Sequence, residues 1–337
     1  GRSPHRKNRV AARGVDCQNG FPADLSDAAW CVVPQQPKTM NAPEWGLLLF
    51  LSVLWGGAFF FAGVAVRELP PLTVVLARVG LAAMMLLPLF WLAGHRLPRT
   101  VRGWRPFFVM GLLNNAIPFG FLFAGQTFIT VGLTSIVNAM TPLFTVMVMA
   151  GFGEERLTAS RVVGVLLGVA GVAILNGVAL DLDGGQTIGI ALCLVATLSY
   201  GFAALWGRRH LSGVAPMVSA TCQLICSSLV MLVVVAAVDR PWTLAAPGWQ
   251  TWAALAGLAC FGTAVAYIVF FRLLVRAGAS NVMLVTLLIP LSALLLGNLF
   301  LDEAIRMREI AGAAVIALGL LFIDGRAIGA LRRRPGA

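Results

Sequence analysis

One charged residue, Arg78, lies well inside an apolar stretch of this chain. It stands seven residues into that stretch, which corresponds to a depth of about 10 Å in a helix. A cation at such a depth costs at least a few kcal/mol, so by default it marks a functional position. Two roles are open for Arg78: binding the carboxylate of a solute, or a structural role as a snorkelling or carbonyl-capping side chain.

Amide, hydroxyl and aromatic side chains share these apolar stretches with Arg78. The chain has only two tyrosines. A tyrosine hydroxyl group that faces lipid has no hydrogen-bond partner, so we expect each tyrosine to point inward to a partner. Each polar group alone fits an interhelical hydrogen bond, worth about 0.6–2 kcal/mol, as well as it fits a solute site. For the group we favour a solute cavity. The predicted lining residues are Trp55, Asn114, Asn115, Asn138, Thr141, Tyr200 and Tyr267, with Arg78.

Three interior prolines, Pro118, Pro142 and Pro290, add backbone chemistry to the apolar stretches. A proline inside a helix frees a carbonyl, which a membrane tolerates where a neighbouring helix or a water-filled cavity satisfies it. Pro142 and Pro290 lie 148 positions apart in matching contexts. We predict that this pair is conformational, lining the cavity and letting two halves rock. A static kink that aids packing is the alternative.

The carboxylates lie elsewhere. Glu154, Glu155, Asp302 and Glu303 stand at the ends of apolar stretches, and no acid lies near the middle of one. Exchange of protons for cations usually needs an acid at depth, so the pattern favours a neutral, zwitterionic or anionic solute. The chain also lacks a G-x-x-x-x-G-K-[ST] loop, which argues against transport driven by ATP within this chain.

No cofactor or metal is predicted. Cys222 and Cys226 are one helical turn apart, but no histidine or carboxylate is near them in sequence, and membrane cysteines usually pack. The two carboxylate pairs do not converge on one catalytic site, so we predict that the chain is not an enzyme. A membrane scaffold or assembly protein is the main alternative to a transporter, and a lipid-modifying enzyme is a weaker one.

The elements that position these residues are apolar helices. Of 337 residues 59% are hydrophobic and 12% are charged, against about 25% charged in soluble domains. The apolar blocks are about 20 residues long, which suits helices that cross a bilayer. The net charge of +11 comes from loops and tails, so it indicates membrane orientation and not nucleic-acid binding. The ten predicted spans are 45–66, 71–93, 106–127, 132–152, 162–179, 187–207, 216–238, 249–271, 277–301 and 310–323.

The second half of the chain repeats the first. Residue types recur at an offset of 148 positions, as from Pro142 to Pro290, and of 145 positions farther upstream, as from Pro71 to Pro216. Five spans in each repeat force the second repeat to insert upside down relative to the first. The predicted fold is therefore all-α and integral to the membrane, with ten transmembrane helices arranged as two inverted five-helix repeats. Such repeats are typical of secondary transporters.

Arginine distribution predicts the orientation. With a cytoplasmic N-terminus, the inner loops and C-terminal tail hold fourteen arginines and the outer loops hold four. This bias places both termini in the cytoplasm of a multi-pass plasma-membrane (inner-membrane) protein. We expect residues 1–39 to be a disordered basic tail that precedes a natural start at Met40, and residues 325–337 to be a basic cytoplasmic tail. Monomer and homodimer both stay open.

Each half resembles an EamA module of the drug/metabolite transporter superfamily. The resemblance rests on Leu54-Trp55-Gly56-Gly57, on Met140-Thr141-Pro142-Leu143-Phe144 followed by Glu154-Glu155, and on the repeat of that order as Ile289-Pro290-Leu291 and Asp302-Glu303. It covers about residues 45–178 and 187–324. The resemblance implies transport of a small metabolite, such as an amino acid, often outward and through a central cavity. It also favours the structural role for Arg78, because the family often has an arginine there.

The second half departs from the family pattern at two places. It opens with Ser199-Tyr200-Gly201 in place of Trp-Gly, and Gln223 stands where the first half has Arg78. Because Tyr200 takes the position of Trp55, we expect these two aromatic residues to flank a solute symmetrically. The glycines of spans five and ten, such as Gly164 and Gly312, predict close helix packing there.

Overall fold

A computed structural model describes residues 40–155, 157–177, 185–282 and 284–324. Within these ranges the chain is helical and contains no β-strand. The N-terminal tail 1–39, the predicted outer hinge at Asp181 and Asp183, and the C-terminal tail 325–337 lie outside the described residues.

Ten apolar helices follow one another in the described part of the chain, and each overlaps one of the predicted stretches. Their bounds are α1 (Ala42–Ala65), α2 (Pro71–Leu92), α3 (Val101–Gln126), α4 (Val131–Gly151), α5 (Ala159–Asn176), α6 (Gly185–His210), α7 (Pro216–Val238), α8 (consecutive segments Trp249–Ala259, Cys260–Val265 and Ala266–Ala277), α9 (Val285–Leu301) and α10 (Met307–Asp324). A 3-10 turn, Pro241–Thr243, precedes α8, and a short helix, Ala279–Val282, precedes α9.

The length and composition of these helices confirm an all-helical membrane protein. Helices α1 to α8 are long and apolar enough to cross a bilayer, and α9 is apolar but has 17 residues. The α10 helix has 18 residues and carries Arg308 and Glu309 in its first turn. The number of membrane crossings stays a prediction.

Local sequence signals explain where the helices begin. The side chains of Thr100, Thr130 and Thr158 accept hydrogen bonds from the backbone N–H groups three residues on, which caps α3, α4 and α5. Pro71 and Pro216 occupy the first positions of α2 and α7, where a missing N–H group costs nothing. These two proline starts lie 145 positions apart and so repeat with the chain.

Three helices are irregular inside the bundle. Helix α3 contains a π-helical turn at Leu112–Ala116, and α8 contains one at Cys260–Val265. The two turns begin 148 positions apart, so the irregularity itself is duplicated. Helix α4 is broken between its segments Val131–Asn138 and Thr141–Gly151. Turns of this kind free backbone groups from the regular helical ladder and are frequent at functional sites.

The three predicted prolines do not all lie in the middle of a regular helix. Pro142 lies in the first turn of the second α4 segment and Pro118 in the first turn after the π-helical turn of α3. Pro142 therefore marks the restart of α4 after its break. Pro118 lies within the continuous helix α3, where the carbonyl oxygen of Leu113 accepts a hydrogen bond of 2.8 Å from Ser199 Oγ of the other repeat. Pro290 does lie inside α9, while Pro88 and Pro106, which the sequence analysis did not count, lie inside α2 and α3.

The two halves pack along one another through the whole bundle. Helix α1 packs against α8 and α9, α6 packs in the same way against α3 and α4, and α2 packs against α7. Helices α5 and α10 lie side by side, as their glycines predicted. A Cβ atom at Gly164 would lie 2.6 Å from the Gly319 carbonyl oxygen, and one at Gly171 would lie 3.0 Å from that of Gly312. Only glycine permits this approach.

Candidate solute site at the repeat interface

Arg78 lies in α2 and is buried at the interface with the second repeat, with 8% of its surface exposed. Its Nε donates a hydrogen bond of 3.2 Å to Thr263 Oγ1, and its Nη2 lies 3.5 Å from the carbonyl oxygen of Gly262. Both acceptors belong to the π-helical turn of α8. The guanidinium group is thus held by irregular backbone of the other repeat.

Aromatic rings surround the remaining face of the Arg78 guanidinium. Its Cζ atom lies 3.7 Å from the centroid of the Phe119 ring and 5.8 Å from that of Phe123, which are distances for cation–π interaction. Tyr200 and Tyr267 lie close enough to interact electrostatically with Arg78. The structure therefore brings together Arg78 and both predicted tyrosines.

No carboxylate neutralises this buried cation in the described ranges of the chain. The ion pairs found there join Arg161, Arg208 and Arg209 to Glu154 and Glu155, far along the chain from Arg78. A buried cation without an anion is costly, because its desolvation is not compensated by a charge of opposite sign. The arrangement leaves Arg78 able to pair with an anionic group that enters from outside.

A second polar contact joins the other π-helical turn to the other repeat. In the π-helical turn of α3, Asn114 Nδ2 donates to Gln223 Oε1 at 3.1 Å, and Asn115 Nδ2 donates to Ser227 Oγ at 3.3 Å. Gln223 and Ser227 belong to α7 and are 5% and 0% exposed. The Oδ1 atom of Asn115 is buried without a hydrogen-bond donor among the described residues.

These two contacts are equivalent under the repeat. Gln223 stands 145 positions after Arg78, while Gly262 and Thr263 stand 148 positions after Asn114 and Asn115. In each half, a polar residue of α2 or α7 reaches the π-helical turn of the other half. The first half supplies a cation at this position and the second half a neutral amide, so the duplicated framework carries one charge.

The predicted residues of α4 lie at its break. Thr141 Oγ1 donates to the carbonyl oxygen of Asn138 at 2.8 Å, and Thr145 Oγ1 donates to that of Thr141 at 2.9 Å. The first of these bonds occupies the carbonyl of Asn138, which Pro142 cannot reach because it has no N–H group. The Oδ1 atom of Asn138 is buried and has no hydrogen-bond donor in the part of the chain that the structure describes. Asn115, Gln126 and Asn138 are the three buried amides of the described residues whose oxygen lacks a donor.

Trp55 lies apart from this group. Its ring centroid is 5.5 Å from that of Phe270, in an apolar cluster formed by α1, α8 and α9. Tyr200, which occupies the equivalent position of the second repeat, packs against the main core instead. The structure thus does not place Trp55 and Tyr200 as a matched pair around one space.

Several residues of the interface were not predicted from the sequence. Thr263, Gly262 and Phe119 contact Arg78, and Ser227 contacts Asn115, but none of the four was predicted. The offset of 148 positions was the available signal, since it maps Asn114 and Asn115 onto Gly262 and Thr263. Within the described residues, no three histidine, cysteine, aspartate or glutamate side chains come together as a metal site would require.

Charged contacts between the halves lie at the helix ends. Arg209 Nε donates to Glu154 Oε1 at 2.7 Å, and Arg208 Nη1 lies 3.6 Å from Glu155 Oε1. The hydrogen bond from Arg209 holds the pKa of Glu154 below its usual value of 4.5. Because Arg209 ends α6 and Glu154 follows α4, this pair joins the two repeats on one side of the bundle.

Three carboxylates cap helix starts of the opposite repeat on the other side. Asp239 accepts hydrogen bonds from Thr73 N at 2.9 Å and Thr73 Oγ1 at 2.7 Å, at the start of α2. Glu68 accepts from Gly248 N at 2.7 Å before α8, and Glu303 accepts from Val131 N at 3.0 Å at the start of α4. Anions at helix N-termini are stabilised by the free N–H groups and by the helix dipole.

Comparison with known proteins adds to this geometry. The model of the EamA-like transporter family matches residues 44–177 and 187–324. An uncharacterized transporter of Archaeoglobus fulgidus is 25% identical over 285 residues, which cover 83% of this chain and 98% of that protein. The uncharacterized inner membrane transporter YedA of Escherichia coli is 27% identical, covering 83% of this chain and 90% of YedA.

The uncharacterized transporter YvbV of Bacillus subtilis is 27% identical, with coverage of 86% and 93%. A solved crystal structure superimposes with a TM-score of 0.60 and 17% identity over 86% of this chain and 98% of the other. At that identity the superposition supports the fold alone.

Proposed function

The chain belongs to the EamA-like transporter family, and from that premise we propose that it is a secondary transporter that exports a small metabolite bearing a carboxylate, such as an amino acid. It is a multi-pass membrane protein, and the three relatives described above are named as transporters. The solute site is the space beside Arg78 at the interface between the repeats.

The observation that carries this proposal is the buried, acid-free cation of Arg78. A carboxylate that enters beside it gains a charge-assisted hydrogen bond, which is worth about 1.5–3 kcal/mol. The ring of Phe119 lies against the guanidinium group, and Tyr200 and Tyr267 interact with it electrostatically. The open Oδ1 atoms of Asn115 and Asn138 offer acceptors for an ammonium or hydroxyl group of the solute.

We propose that transport proceeds by alternating access. Ten spans in two inverted repeats would rock about the interface, with the π-helical turns of α3 and α8 as the places where backbone geometry changes. Irregular backbone at membrane depth is tolerated where it is buried in protein or lines a cavity. The break in α4 beside Pro142 and the interior Pro290 of α9 supply further flexible points. In this proposal Asn114 and Thr141, which are hydrogen-bonded to neighbouring groups, lie at the edge of the solute site, while Trp55 packs in the separate cluster of α1, α8 and α9.

The test is counterflow in proteoliposomes. Vesicles are loaded with a pool of unlabelled amino acids and small carboxylates, and uptake of each labelled solute is measured against empty liposomes. We expect saturable exchange of at least one carboxylate-bearing solute, and no exchange of its amide or ester analogue. Exchange of the neutral analogue at an equal rate would refute the role of Arg78, and no exchange of any solute would favour the scaffold interpretation.

The orientation is part of the proposal. The arginine bias places the Glu154–Arg209 pair in the cytoplasm and the caps by Glu68, Asp239 and Glu303 outside. Single cysteines in these loops, labelled by a membrane-impermeant reagent in intact cells, test it. Labelling at Thr243→Cys with none at Ser212→Cys is the expected result, and the reverse pattern would overturn it.

A further inference from the structure

A cavity of about 230 Å³ lies where α1, α3 and α9 end and α4 begins. Its polar lining consists of Arg67, Gln126, Thr127 and Glu303. We propose that it is a second binding site, specific for small zwitterions, in which Arg67 faces the carboxylate of the ligand while Glu303 and Gln126 face its ammonium group. It is distinct from the Arg78 site and does not depend on it.

Gln126 supplies the observation that points to a ligand. Its side chain is only 9% exposed, and its Nε2 donates a hydrogen bond of 3.1 Å to the carbonyl oxygen of Phe59. That bond fixes the orientation of the amide and leaves Oε1 as the free atom. Oε1 has no hydrogen-bond donor among the described residues. A buried acceptor without a donor is costly, so a donor from the ligand would stabilise it.

Backbone hydrogen bonds hold the Glu303 carboxylate in place on the acidic side of the cavity. The Glu303 carboxylate accepts hydrogen bonds from Val131 N at 3.0 Å and from Gly132 N at 3.4 Å. A carboxylate has about four lone-pair sites, so acceptor capacity remains for an ammonium group. A Cβ atom at Gly297 would lie 2.5 Å from Glu303 Oε2, so the placement of the carboxylate needs glycine there. Asp302, with a φ of 56°, turns the chain at the end of α9 just before Glu303.

The basic side is formed by Arg67, which follows α1 and is exposed. No ion pair engages Arg67 in the described part of the chain. A cation and an anion on one small cavity match the two charges of an α-amino acid. The apolar walls at Ile129 and Leu301 match a short aliphatic side chain.

The volume limits the size of the ligand. The cavity has a volume of about 230 Å³. Pockets for drug-sized ligands are larger, at about 300–1,000 Å³. The cavity therefore suits an amino acid and not a bulky drug. Both repeats contribute to it, since Gln126 belongs to the first and Glu303 to the second.

Protection of a cysteine from labelling tests the proposal. The full chain carries Thr127→Cys at the exposed rim of the cavity, with Cys17 and Cys31 changed to serine. The rate of labelling by a membrane-impermeant thiol reagent is measured with rising concentrations of glycine or L-alanine. We expect both zwitterions to slow labelling in a saturable way. Propionate and propylamine, which carry one charge each, should need at least tenfold higher concentrations.

Two variants and a matched control decide the outcome. Arg67→Gln and Gln126→Leu should each raise the half-protecting concentration of L-alanine about three- to tenfold, because each removes one polar contact. Thr243→Cys, exposed in a different loop, should label at the same rate with or without L-alanine. Protection that is absent, that is equal for propionate, or that survives both variants would overturn the proposal.

The Arg78→Gln variant separates this proposal from the transport site. Protection of Thr127→Cys should be unchanged in that background, even where counterflow is lost. Loss of counterflow with intact protection supports both sites, while intact counterflow with intact protection refutes only the role of Arg78. Loss of protection in Arg78→Gln would refute the independence of the cavity.

Discussion

The sharpest prediction concerns the replacement of Arg78 by glutamine, the residue that the second repeat carries at the equivalent position, Gln223. The change removes the charge but keeps a polar side chain that can still donate hydrogen bonds. If Arg78 binds the carboxylate of the solute, one charge-assisted hydrogen bond worth about 1.5–3 kcal/mol is lost. That corresponds to an affinity about 10- to 150-fold weaker.

The fold should survive this change. The variant loses the hydrogen bond to Thr263 Oγ1, now 3.2 Å long, and the cation–π contact with Phe119. It also no longer places an uncompensated cation inside the membrane, which costs about 2.5–3.5 kcal/mol on insertion scales. Because these effects oppose each other and are similar in size, we expect the midpoint of thermal unfolding to change little.

The assay is concentration-dependent counterflow of the carboxylate-bearing solute by wild-type protein, Arg78→Gln and Arg78→Lys. The KM should rise about 10- to 150-fold in Arg78→Gln. It should rise by less in Arg78→Lys, since lysine keeps the charge but lacks the planar guanidinium group that can donate two hydrogen bonds to one carboxylate. Arg105→Gln, which removes an exposed arginine at the start of α3, is the matched control and should leave the KM unchanged. A folded Arg78→Gln protein with a wild-type KM would refute the reasoning and leave Arg78 a purely structural role.

Three further predictions follow from the packing and the helix ends. Gly111→Ala should destabilise the protein by about 1–3 kcal/mol, because a Cβ atom there would lie 2.7 Å from a carbonyl oxygen of α7. A Cβ atom at Gly46 would have nothing within 4 Å, so the control variant Gly46→Ala should be neutral. Thermal unfolding in detergent measures both variants. Asp239→Ala should cost about 0.5–2 kcal/mol in the same assay, since it removes the cap of α2. The pKa of Glu154 is lower in the folded than in the unfolded chain. The stabilising contribution of Glu154 is therefore fully present above about pH 4.5 and is lost as the pH falls through the folded pKa. The unfolding midpoints of the wild-type protein and of Glu154→Gln should differ at neutral pH and converge in acid. A difference that persists in acid would contradict this.

The helices were predictable because their signals are local. Apolar runs of about 20 residues, threonine caps and first-position prolines each act within one stretch of sequence, and most helices lie within a few residues of the predicted spans. The boundary between spans eight and nine was wrong, because α8 continues to Ala277 and α9 begins only at Val285. Helix α3 begins earlier, at Val101, because Thr100 caps it. The close packing of the glycine faces of α5 and α10 was predictable for the same reason, since small residues one turn apart form a groove whatever helix packs against them.

The polar interface was only partly predictable. Arg78, Tyr200 and Asn115 were identifiable because a polar group in an apolar run is costly wherever its partner lies. Their partners were not, since Arg78 and Thr263 are 185 residues apart and meet only through the packing of α2 on α8. The π-helical turns depend on how the surrounding helices pack around the extra residue. The sequence of Leu112–Ala116 alone does not predict a π-helical turn. The break in α4 and the caps by Glu68, Asp239 and Glu303 are likewise tertiary features.

The central claim is that a solute binds between the repeats among Arg78, Asn138 and Tyr267. Its most direct test is counterflow of the exchanged solute by the wild-type protein and by the paired variant Asn138→Ala with Tyr267→Phe, each reconstituted at equal density and checked for insertion. We predict saturable exchange by the wild-type protein and its loss in a paired variant that still folds and inserts. Exchange by the paired variant at the wild-type rate and KM would contradict the placement of the site at the repeat interface.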